Sequence, residues 1–127
     1  MNPKFRAWLK EEKRMTDVNE MTFIDGEVYL ISDVTDFYAY EEFKLMQSTG
    51  LRDKNGKEIF EGDVVKYEVG RNTYTEEVAY DKNFAGFGVK DAKANVVFTF
   101  GEIAEDISLI SLEVIGNIYE NHELLEG

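Results

Sequence analysis

The side chains able to do chemistry in this sequence are few and scattered. Its one histidine, His122, could act as a general base, but it stands in Glu120-Asn-His-Glu123 with no Ser or Cys nucleophile near it in sequence. A solvated tail residue is the expected role. The carboxylate pairs Glu41-Glu42, Glu76-Glu77 and Glu105-Asp106 could share acid/base work or hold a divalent ion. In a chain with 31% charged residues such pairs are also what a solvated face carries, and we read them so. Asp53-Lys-Asn55-Gly56 resembles the middle of a calcium-binding EF-hand loop, but aligning Gly56 with the obligatory glycine puts Leu51 first and Gly62 last, so both anchoring carboxylates are missing. Gly86-Phe-Gly88 is too short for a dinucleotide fingerprint and reads as a bent or close-packed strand. With no Cys, disulfides and thiolate chemistry are excluded. No catalytic constellation, metal site or cofactor site follows, and the chain is expected not to be an enzyme.

Binding is the chemistry that remains. Arg6, Trp8 and Lys10 alternate with Phe5, Ala7 and Leu9, and basic side chains interleaved with an aromatic can pair with phosphates and stack on bases. The same pattern describes a strand that packs Phe5 and Ala7 inward while Trp8 covers a neighbouring sheet. Tyr38 and Tyr40 are the other candidate interaction residues. Together with Tyr29 and Trp8 they exceed what a core of this size encloses, which predicts an interface.

The elements that must position these residues are strands. Phe5 to Leu9 has the period of an extended segment, and Glu11 to Arg14 reads as a charged turn. Met21 to Ile24, Asp25-Gly26 and Glu27 to Ser32 predict a hairpin, because Asp-Gly tolerates the positive φ angles of a type I′ turn. Phe37 to Gln47 fits either a strand or a short helix, and strand is favoured. Gly50 opens the next stretch and Asn55-Gly56 is a second tight turn, followed by Glu61-Gly62-Asp63 and the β-branched run Val64 to Val69. Gly62 provides backbone freedom, and Asp63 can accept backbone hydrogen bonds at the entry to that run. Tyr74 to Asp81, Gly86 to Lys90 and Val96 to Phe100 follow as strands, and Leu112 to Tyr119 closes the set with an interruption at Gly116, beside the motif residue Asn117.

Short antiparallel strands hide their edges by closing, so the expected fold is mainly β: small antiparallel sheets, with an SH3-like barrel in the C-terminal two-thirds and an N-terminal β extension. The division expected is residues 1–47 for the extension and 48–127 for the barrel with an acidic tail. The 127 residues exclude a multi-domain enzyme, and 43% hydrophobic content with nine Phe and seven Tyr excludes a disordered chain. Fourteen basic against 26 acidic residues give a net charge of -12, which opposes approach to nucleic acid and anionic membranes. Charge is also polarised: residues 1–14 carry a net +3, and residues 101–127 hold seven acids with no Lys or Arg. With no membrane-length apolar run and no secretory apolar core near the start, a cytoplasmic location is expected.

Three motifs carry a family resemblance. Lys4-Phe-Arg-Ala-Trp8, the twenty residues from Met46 to Val65 (MQSTGLRDKNGKEIFEGDVV) and Val114-Ile-Gly-Asn-Ile-Tyr-Glu-Asn121 occur in order over nearly the whole chain and resemble the YopX family. Leu9 departs from the acidic residue that often follows the Trp, and His122 from the Pro usual after Glu-Asn. The resemblance implies a small phage or prophage protein at work inside a Gram-positive bacterium, and it brings no biochemical activity to transfer onto these positions. The expected function is therefore a noncatalytic protein-interaction or self-assembling module, whose partner is another protein or a second copy. The alternative is a nucleic-acid-related role, either binding through the basic N-terminal strand or mimicry of DNA by an acidic face.

Overall fold

In a computed structural model, which describes residues 4–83, 85–93, 95–100 and 111–126, the chain divides into two units, Met1–Ser48 and Thr49–Gly127. Both are built of antiparallel strands, so the protein is mainly β. The first unit holds β1 (Phe5–Leu9), β2 (Arg14–Asp17), β3 (Glu20–Ile24), β4 (Glu27–Ser32), β5 (Phe37–Ala39) and the start of β6 (Phe43–Arg52). β1 lies between β2 and β6, with Trp8 opposite Met15 on one side and Lys44 on the other. β3, β4 and β5 form a separate three-stranded sheet in that order.

Local sequence explains the turns. Asp25 and Gly26 have φ of 52° and 82°, as a type I′ hairpin needs. Asp33 ends β4 with an Asx turn: its Oδ1 accepts the N–H groups of Thr35 and Asp36, each at 2.8 Å, and its Oδ2 accepts the Thr16 hydroxyl at 2.9 Å. The core of this unit joins Ala7 and Leu9 of β1 to Ile31, Tyr38 and Phe43. The stretch from Phe37 to Gln47 is strand, broken by a turn in which the Glu42 N–H donates to the Ala39 carbonyl at 2.8 Å. Arg6, read onto the outward face of β1, is itself buried, because a central strand can be covered on both faces and an arginine stem packs as hydrocarbon.

The second unit contains the end of β6, then β7 (Glu58–Phe60), β8 (Asp63–Val69), β9 (Asn72–Asp81), β10 (Gly86–Asp91), β11 (Val96–Thr99), β12 (Glu113–Asn117) and a 3₁₀ turn, His122–Leu125. Five strands make one sheet in the order β11-β10-β9-β8-β12, an arrangement compatible with the expected SH3-like barrel. Along β8 and β9, Val65 faces Glu76 and Tyr67 faces Tyr74, while Val78 of β9 faces Val89 of β10. Directly opposed residues share a face, so these valines build one apolar surface that is completed by Ile59, Phe100 and Leu112. Full burial of each valine is worth about 1.5 to 3 kcal/mol.

β8 begins at a tight turn that only certain residues can make. Gly62 has φ of 88°, its N–H donates to the Val78 carbonyl at 2.8 Å and its own carbonyl accepts the Ile118 N–H at 2.9 Å. Asp63, almost fully buried, closes the turn by accepting the Phe60 N–H at 2.8 Å. A β-branched side chain at a positive φ is strained by about 1 to 3 kcal/mol. Gly62→Val is therefore expected to lower the melting midpoint by roughly 4 °C or more, given the size of the unit. Thermal unfolding followed by circular dichroism checks this, and an unchanged midpoint would show that the two backbone hydrogen bonds tolerate ordinary strand geometry.

Candidate functional site

The residues singled out by type fall into three places. The first is a clasp in the second unit, made from the two longest motifs. Asp53 follows β6, and its buried carboxylate accepts three backbone N–H groups: Asn55 at 2.9 Å and Lys57 at 2.8 Å on Oδ1, and Val114 of β12 at 2.9 Å on Oδ2. Next to it, the Lys54 N–H donates to the Leu112 carbonyl at 2.9 Å, and Lys54 Nζ lies 3.2 Å from Glu113. Burial by itself would raise the Asp53 pKa, but the three donors and the nearby Lys57 charge favour the carboxylate, and the net shift is downward.

β12 ends in the matching half. Asn117 Oδ1 accepts the N–H groups of Tyr119 and Glu120 at 3.0 and 2.9 Å, and Asn121 Oδ1 returns to the Asn117 N–H at 3.2 Å. A Cβ on Gly116 would lie 2.5 Å from that Asn121 oxygen, so the position admits no side chain without a shift. Gly50, Gly56 and Gly62 take positive φ at the other half of the clasp. Asn55, Gly56, Gly62, Asp63, Gly116 and Asn117 thus all have architectural positions. In sequence the carboxylate at the centre, Asp53, stands out only through its likeness to a cation-loop ligand. The signal that could have found it is the Asp-x-Asn-Gly-Lys spacing of an Asx turn.

The second place is a titratable cluster on the core-facing side of β8, β9 and β10. The Tyr67 hydroxyl donates to Glu76 Oε1, and Tyr74 stacks on Tyr67 with ring centroids 5.4 Å apart. Burial, then the Glu76 hydrogen bond and neighbouring negative charge, push the Tyr67 hydroxyl up. Burial and the nearby Asp91 also raise Glu76 against the opposing effect of its tyrosine bond. This arrangement orders β8 against β9 and keeps a proton between two weak acids. Glu77, on the opposite face of β9, is raised mainly by burial. Glu105 and Asp106 lie outside the described residues, and among those residues no three His, Asp or Glu side chains converge to hold a metal ion. His122 is exposed in the 3₁₀ turn, with Nδ1 3.3 Å from Glu126.

The third place is the surface of the first unit. Tyr38 lies in the core, and its hydroxyl accepts from Arg14 Nη2 at 3.0 Å. Tyr40, two residues on, is 53% exposed and packs on Tyr29 with centroids 5.7 Å apart. Trp8 is half-buried and Lys10 exposed. A shallow open hollow beside Tyr38 is lined by Leu9, Glu11, Glu12, Asp36 and Glu42. Sequence reasoning missed the other exposed apolar side chains of this unit, Phe23 and Ile24 on β3, Val34, and Phe37 on β5. Strand periodicity separates the faces of β3 and β5 without saying which face stays uncovered.

A family model for the YopX protein matches residues 4–126. The chain belongs to the YopX family. Among solved structures, it is similar to protein EF1440 from Enterococcus faecalis, with a TM-score of 0.73 and 32% identity over 99% of each chain. It also shares its fold with yopX from Bacillus subtilis, with a TM-score of 0.69 and 23% identity over 99% of this chain and 100% of that one. No curated protein matches it. The two longer motifs contain most residues of the clasp, among them Asp53, Asn55, Lys57, Val114 and Asn117, while Leu112 and Glu113 lie just before the last motif. No described helix is long and apolar enough to cross a membrane.

Because the folded-state pKa of Asp53 lies below its unfolded value, its contribution to stability is present above the ordinary carboxylate range, about pH 4, and is lost as pH falls through the folded value. Asp53→Asn keeps the shape but turns one acceptor into a donor among N–H groups, so about 1 to 3 kcal/mol should be lost at neutral pH. Denaturant titrations should show the gap between the two proteins narrowing as pH falls toward 2. A gap of equal size at both ends would show that the carboxylate's charge is not what holds β12.

Proposed function

We propose that this YopX-family chain is a phage-derived accessory protein acting as a noncatalytic protein-interaction module, with the three-stranded sheet of its first unit as the docking surface. The family resemblance supports the phage setting. One observation carries the molecular reading: between residues 23 and 40, Phe23, Ile24, Tyr29, Val34, Phe37 and Tyr40 are all exposed large apolar side chains, with Phe23 at 56% and Phe37 at 65%. Scattered apolar residues are ordinary on a protein surface, whereas a concentration of aromatics on one small sheet and its loops has the composition of an interface core.

The titratable groups support the same reading. The Tyr67 hydroxyl and Glu76 are bonded to each other, and the Asp53 and Asp33 carboxylates are taken up by backbone donors within the fold. Nucleic-acid binding through the first strand draws little support from the geometry, since Arg6 is buried and Arg14 is engaged by Asp33 and Tyr38.

Phe23→Ser combined with Phe37→Ser removes apolar area that the folded protein leaves in water. The double variant should keep its melting midpoint within about 0.5 kcal/mol of stability per site. Proteins retained from lysate of a Gram-positive host by the tagged full chain should be lost from this variant, as read by quantitative mass spectrometry. Retention unchanged with the fold intact would refute this surface as the docking site.

A further inference from the structure

The same surface also presents an open sheet edge and a uniform charge. Among the described strands β3 has a single neighbour, β4, and Glu20, Thr22, Phe23 and Ile24 are exposed along it. It carries no Pro, Lys or Arg, the residues that commonly blunt an edge strand. The irregularity in its pairing lies on β4, where Tyr29 is the extra residue between the partners of Thr22 and Phe23, so the row of β3 residues is continuous. From residue 15 to residue 43 the sequence has no Lys, Arg or His, and it has eight acids: Asp17, Glu20, Asp25, Glu27, Asp33, Asp36, Glu41 and Glu42. Asp17, Glu20, Asp25 and Glu27 are exposed at the two ends of β3.

We propose that β3 receives an extended segment of a partner protein as a fourth strand, and that this segment alternates apolar residues with Lys or Arg. The inference rests on the interaction reading above and names the partner's chemistry. Main-chain hydrogen bonding to the edge supplies generic affinity, the apolar side chains on one face of the added strand lie beside Phe23, and the cations on its other face lie beside Glu20 and reach the acids at both ends. Charge selects among occupants. Two copies of β3 paired antiparallel would bring Glu20 of each copy toward the Asp25 and Glu27 end of the other, acid against acid. Phosphate backbones and anionic lipids meet the same repulsion.

The probe is a synthetic peptide of about nine residues alternating Val and Lys, capped at both ends, which spans a typical strand. It is titrated into the isotopically labelled full chain and followed by amide chemical shifts. The expected result is a set of shifts centred on residues 20–24, with affinity that weakens as salt is raised. Replacing Lys by Glu, or methylating alternate peptide nitrogens, should weaken binding by about tenfold or more, the former through charge and the latter through lost ladder bonds. The combined variant Glu20→Gln, Asp25→Asn, Glu27→Gln should weaken the Lys peptide without affecting the melting midpoint. Equal binding of the Glu or methylated peptide, shifts confined to other residues, or a self-associated dimer with shifts at 20–24 would each overturn the proposal. If the Lys peptide fails while Phe23→Ser with Phe37→Ser still abolishes protein capture, strand addition is wrong and the interaction surface stands. If the Lys peptide binds at β3 and the same double variant leaves capture unchanged, the edge is a peptide site and the broader docking reading falls.

Discussion

The second unit depends on one buried carboxylate. Asp53 sits at the end of β6 and uses both oxygens on backbone donors, two in its own turn and one in Val114, sixty-one residues later. Backbone N–H groups cannot be left unpaired out of water, and an ionised carboxylate cannot be buried without donors. Each requirement satisfies the other here. The neighbouring Lys54–Leu112 and Gly62–Ile118 hydrogen bonds then hold β12 along the edge of β8, so the chain segment that closes the unit is tied at several points to the turns that open it. The shift in register between Val114 and Gly116 accommodates this path, and Gly116 leaves room for the Asn121 side chain.

This accounts for the composition of the YopX motifs. Long family motifs rich in Gly, Asp and Asn invite a search for phosphate loops or cation loops, because those sites use the same residues. In this chain the residues recur for a related physical reason. Glycines take positive φ, and Asp or Asn side chains imitate backbone acceptors, whether the donor belongs to a ligand or to the protein itself. The donors observed are the protein's own. The motif residues thus serve the architecture of the second unit, and the three-stranded sheet of the first unit, Glu20 to Ala39, lies outside the motifs.

Electrostatics acts differently in the two settings. The carboxylates of Asp33 and Asp53 are held down by hydrogen bonds from backbone N–H groups, while Glu76 is pushed up by burial beside Asp91. Lowering the pH removes stability from the first two and leaves the share of the third intact, because a raised carboxyl loses its contribution only as pH rises through its folded value. On the surface, by contrast, the exposed acids Asp17, Glu20, Asp25 and Glu27 remain in water.

Sequence by itself determined the strands and turns whose cause is local. Asp25-Gly26 can adopt two successive positive φ angles, and does so; the β-branched run after Gly62 extends, and the interruption at Gly116 is real. Mainly β architecture followed from these elements. β2 was not legible, since Arg14-Met-Thr-Asp17 has little strand character until β1 pairs with it. Burial was decided by the tertiary structure. Tyr38 and Tyr40 have the same parity, yet one enters the core and the other reaches solvent because β5 ends at Ala39 and the chain turns between them and β6. Asp53 resembled half of a cation loop until its second oxygen met Val114. The physical division is one of range: φ preferences and side-chain caps act within a few residues, whereas the environment that makes a tyrosine core or surface, or a carboxylate ligand or clasp, is assembled from strands far apart in the chain.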